Sequence, residues 1–160
     1  MSLEATPEQD ATIARLKAQV PMVASANPSL GGGRVYDEVP EETILEKDAT
    51  GLIIQPYIIA TFGGLIPLEG ESSIEGADQQ PQIMGGMFEC WAHTKAQARQ
   101  VAGQVRVAIV GWTPGTDGNA SEWFLSGGGS VNPPSGLPRP TRYMELVTAE
   151  TTINNSIVVL

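Results

Sequence analysis

At 160 residues, 41% of them hydrophobic, the chain has the size and apolar content of one domain with a real core. A net charge of −9 argues against a protein that grips the nucleic-acid backbone, and one cysteine with one histidine supplies neither a disulfide framework nor a structural zinc site. Eighteen glycines and twelve prolines point to long loops, and no apolar run approaches the roughly 18 residues that span a bilayer, so no membrane partner is expected.

In chain order, MSLEATPEQD lacks the blocks of a secretion signal and leads straight into a helix start. Thr6 reads as its N-cap, Pro7 as its first residue and Gln9 as the return partner of a capping box. Ile13, Leu16, Val20 and Val23 share one face, and Pro21 ends the helix near Val20. NPSLGGG from Asn27 is a turn, Arg34 to Val39 a short strand, and the chain from there to Gly51 an acidic connection. Gln55 to Phe62 (QPYIIATF) is apolar on both faces, as in a sheet interior, with Pro56 at its tolerated starting position. Residues 63–82 form a long loop rich in Gly, Glu and Gln.

Met87 to His93 alternates with period two, placing Phe88, Cys90 and Ala92 on one side. Thr94 then caps a second helix, with Gln97 completing the box. Ala98, Val101, Ala102, Val105, Ala108 and Ile109 form its apolar face, and Gly111 stops it. Glu122 to Leu125 is a short strand, 126–141 (SGGGSVNPPSGLPRPT) a second long loop, and Arg142 to Thr151 a closing strand. The order gives an α+β domain over 1–160: a mostly antiparallel mixed sheet with two helices packed on one face.

Residues that carry chemistry are few. Cys90 and His93 are three apart on a strand and point to opposite faces, so they read as a buried structural cysteine and a half-exposed histidine, not a nucleophile and its base. Gly127–Gly129 lacks the Lys-Ser/Thr and the helix start of a phosphate loop and reads as flexible loop. Glu69, Glu71, Glu75 and Asp78 offer oxygen ligands for a divalent ion, but their spacing matches no EF-hand and a solvated surface is the plainer reading. No cofactor, metal or catalytic residue is expected.

Charge is segregated. Residues 37–89 hold eleven of the 18 acidic groups and one of the nine basic ones, and the remainder of the chain is almost neutral. Lys95, Arg99 and Arg106 project within about 40° of one another on the second helix. Such a strip is either a solvated rim or a surface that meets the acidic 37–89 region of another copy, Glu69, Glu71, Glu75 and Asp78 included. Unlike patches docking head to tail close into a ring or run on as a filament.

The same residues resemble a known family. Arg34-Val35-Tyr36-Asp37, Pro56-Tyr57 and the strand–helix junction His93-Thr94-Lys95 with Ala98, Val101 and Arg106 look like the tail terminator proteins of long-tailed bacteriophages, over about 13–151. The long 126–141 segment and the extended acidic loop depart from that pattern. The resemblance implies a non-enzymatic virion protein, assembled in the host cytoplasm, that forms a ring of six at the head-proximal end of the tail. It implies three partners: further copies of itself, the major tail tube protein whose growth it halts, and the head–tail connector. DNA would pass through the lumen without specific binding. The alternatives are a connector-completion or minor tube protein and, in another class, a divalent-metal-dependent enzyme or binding domain using the 69–78 carboxylates.

Overall fold

Helix α1 (Thr6–Gln19) takes in Thr6 itself, expected as its N-cap, so that Pro7 is its second residue and not its first. It stops where Pro21 forces Val20 out of helical geometry, to φ −109° and ψ 95°. Leu16, Val20 and Val23 are buried as their spacing requires. Glu8 and Thr12 are buried as well: the Thr12 hydroxyl donates to the Glu8 carbonyl (2.7 Å) and accepts from the Trp123 indole N–H (3.3 Å). The computed structural model describes residues 6–63, 66–67, 82–115, 120–131 and 141–153.

The strand expected over 34–39 is only β1 (Val35–Tyr36), parallel to β2 (Tyr57–Phe62). Asp37, Glu38 and Glu41 beyond it are exposed, so the chain leaves the sheet edge there. β3 (Ile66–Pro67) pairs through its backbone with Gln82 and Ile83. β4 (Gln82–Ala92) therefore begins well before Met87, inside the segment read as the end of a loop. The alternation does run back through Met84, but Gly85-Gly86 disguises it. A Cβ on Gly86 would lie 2.9–3.0 Å from the rings of Phe88 and Trp123, so glycine here lets the aromatic core pack across the strand.

Helix α2 (Lys95–Ile109) is capped by Thr94, whose hydroxyl accepts from the Gln97 N–H at 3.1 Å; this is one half of the expected box, and among the described residues the Gln97 side chain makes no return bond. The six residues assigned to its apolar face are the six that are buried. The second long loop needs correction: 126–131 belongs to β5 (Phe124–Val131). Gly127–Gly129 is thus neither flexible loop nor phosphate cradle. A bulge falls between Leu125 and Gly127, Gly128 and Gly129 have φ of +135° and +142°, and a Cβ on Gly128 would collide with the Leu146 carbonyl. The glycines allow the edge strand to bend tightly over β6 (Tyr143–Ile153).

The sheet runs β1-β2-β4-β6-β5, parallel only between β1 and β2, with β3 joined to β4. This is the α+β architecture expected from the sequence. Both helices cover one face, where Leu16, Val101, Val105 and Ile109 meet Ile58, Phe88, Cys90 and Val147. Trp123 closes that core edge-on to Phe88, ring centroids 6.0 Å apart. The opposite face carries a smaller core: Leu45 and Ile54 cover Tyr57 and Ile59, with Trp91 stacked on Tyr57. Residues 37–54 thus form a lobe on the side of the sheet away from the helices.

Candidate functional site

Cys90 lies wholly inside the main core, and burial pushes its thiol to about 12. A thiol held protonated at that depth is no nucleophile. His93 is half-buried just beyond the end of β4. Among the described residues no group of three or more His, Cys, Asp or Glu side chains is placed to hold a metal, and no helix is long and apolar enough to cross a membrane. Glu69, Glu71, Glu75 and Asp78 lie outside the described residues.

What the structure displays is a pair of contrasting surfaces. On the helix side, α2 carries Lys95, Arg99 and Arg106 and no acidic residue in 15 positions. Lys95 and Arg99 are exposed and Arg106 is half-buried. The Lys95 ammonium sits 5.8 Å from the Tyr143 ring, a favourable cation–π distance. Among the described residues the ion pairs are Arg34–Glu46 and Arg142–Glu42, so none engages α2. Beside these cations Val107 is 83% exposed.

On the far side, the 37–54 lobe is acidic and also shows apolar side chains to solvent: Val39 is 79% exposed, Leu52 73% and Ile44 55%. Two buried arginines fasten it. Arg34 donates to Pro56 O (2.7 Å), Ala24 O (2.8 Å) and Met22 O (2.9 Å), and to Glu46 at 3.0 Å. Arg142 grips the Glu42 carboxylate with both terminal nitrogens and lies 5.9 Å from the Trp91 ring. The clamps engage Glu42 and Glu46, and Asp48 accepts from the Thr50 hydroxyl and the Ile53 N–H. Asp37, where the chain leaves β1, lies on the α1 side beside Gln9, Asp10 and Ile13. Glu38 and Glu41 remain as the outward carboxylates of the lobe, with Lys47 exposed as its one cation. The sequence reading found the basic strip but not the arginine clamps, which join residues 10 to 100 positions apart, nor the exposed aliphatics beside the charges.

The fold therefore defines a small α+β protein with a basic helix on one side of its sheet and an acidic lobe on the other. In comparisons with known proteins, no family model matches the sequence and no curated protein does. Among solved structures the chain is similar in fold to one from a structure described as "Virion of native gene transfer agent (GTA) particle". The TM-score is 0.63 at 14% identity, covering 94% of this chain and 97% of the other. At that identity the likeness is one of fold.

Proposed function

We propose that this protein is a structural component of a phage-like virion, and within that class a tail terminator. The observation that carries the reading is the end-to-end fold match to a chain from a virion particle. It converges with the resemblance read from Arg34–Asp37, Pro56-Tyr57 and His93–Lys95, which owes nothing to that match. In this role the chain forms a ring, of six copies in the family it resembles, on the head-proximal end of the tail tube. The ring halts addition of major tail tube protein and offers the connector a docking face. No bond is made or broken; geometry does the work. The separation of a basic helix from an acidic lobe on opposite sides of the sheet suits head-to-tail closure. A net charge of −9 suits a channel that DNA crosses without adhering.

The test is electron microscopy of particles assembled without the protein. Overlong tubes are expected. Tails of normal length detached from leaking heads would instead make it a connector-completion protein. Complete, infectious particles would end both readings.

A further inference from the structure

Resting on the reading of the chain as a ring-forming virion protein, we propose that the outward ridge of α2 seats on the 37–54 lobe of the next copy of this chain. Four residues form the ridge. By the 3.6-residue period Arg106, Arg99, Gly103 and Val107 follow one another around the helix within about 100°. The two arginines supply positive charge, Val107 supplies apolar area, and no acidic residue on the same helix neutralises them. The lobe presents the complement: Glu38 and Glu41 beside Val39, Ile44 and Leu52.

Gly103 gives an independent reason to look outside the chain. It stands in mid-helix, where glycine costs stability relative to alanine. Yet a Cβ there would meet nothing within 4 Å, so no packing within the described structure calls for its absence. The proposed docking supplies a reason: a bare backbone at this point lets the next copy approach closely. Its position between Arg99 and Val107 puts that approach at the middle of the ridge.

Ridge and lobe occupy opposite faces of one sheet, so a copy cannot satisfy its own. Each docking leaves one free ridge and one free lobe, and the series ends only by closing on itself. The acceptor is thereby narrowed from the whole 37–89 region to its first third.

The experiment uses the full chain, native mass spectrometry and sedimentation, with and without purified tail tubes. Arg99→Glu with Arg106→Glu weakens association roughly tenfold or more, and so does Glu38→Lys with Glu41→Lys, because like charges then face each other. The four-site swap restores it. Gly103→Ala raises the monomer's Tm while loosening the assembly, a pair of opposite signs that a merely solvated helix face would not produce. Glu69→Gln with Glu71→Gln leaves association unchanged. Unaltered assembly in both charge-reversed doubles, or loss only in the 69/71 variant, overturns the ridge-to-lobe contact while leaving tube capping by the wild type intact. Ridge-dependent rings that ignore tail tubes would support the contact and remove the terminator role. A wild-type chain that stays monomeric with and without tubes refutes both.

Discussion

Replacing Arg34 with methionine tests what holds the acidic lobe in place. The Arg34 side chain is 7% exposed and its guanidinium serves four acceptors: the carbonyls of Pro56, Ala24 and Met22 and the carboxylate of Glu46. Methionine fills the volume of the stem and removes every donor. Each buried acceptor left unpaired costs about 1–3 kcal/mol. Glu46 is 27% exposed and recovers part of its share from water. The three carbonyls alone come to about 3–9 kcal/mol, and the lower part of that range coincides with the roughly 3–5 kcal/mol typical of breaking a buried ion pair from one side. At about 2–4 °C per kcal/mol for a domain of this size, the midpoint falls by roughly 10 °C. Urea unfolding followed by tryptophan fluorescence, with calorimetry alongside, reads it directly. Arg34→Lys keeps the charge without the planar fork and recovers less than half of the loss. A methionine variant within about 1 kcal/mol of wild type, the scale of an ordinary surface change, would refute the clamp. So would a lysine variant equal to arginine.

Three further outcomes follow from the same geometry. Gly128→Ala and Gly129→Ala both place a side chain at positive φ, a strain of about 1–3 kcal/mol, but only the first also strikes the Leu146 carbonyl; chemical denaturation should therefore find Gly128→Ala clearly the worse of the two. Burial raises the folded thiol of Cys90 from 9.0 to about 12 and the Tyr57 hydroxyl from 10.0 to about 12, so the unfolded chain releases these protons first. Their contribution is intact below about pH 9 and drains away between about 9 and 12; Cys90→Ala flattens the stability–pH slope there, and Tyr57→Phe flattens it further above 10. In the native state Cys90 resists thiol reagents at pH 8 and reacts on unfolding, which a timed labelling measurement distinguishes.

Helix α2 was legible residue by residue because cap, period and stop agree: Thr94, the six buried apolar positions and Gly111 constrain one another. β2 and β6 were legible for a similar reason, an apolar pattern bounded by turn residues. The errors sit at glycines. Gly85-Gly86 and Gly127–Gly129 carry no local strand signal, and what makes them strand is the partner across the sheet: β6 for both, with the Phe88 and Trp123 rings demanding space at Gly86. The arginine clamps were invisible for another reason. A side chain that chooses between carbonyls and a distant carboxylate leaves no period in the sequence, so Arg34 and Arg142 read as ordinary strand ends. Of the expected interface, Lys95, Arg99 and Arg106 fall together on one helix, whereas Glu69, Glu71, Glu75 and Asp78 lie outside the described residues. The outward carboxylates beside exposed Val39, Ile44 and Leu52 emerged only once the fold showed which acids the arginines had taken.

The central claim, that copies of this chain act by closing on a tube end, is tested most directly by adding the purified protein to polymerising tail tube subunits and measuring tube lengths by electron microscopy. The account predicts shorter tubes as the protein is titrated in, each bearing a ring at one end. Tubes that grow to the same length with bare ends at every concentration would contradict it.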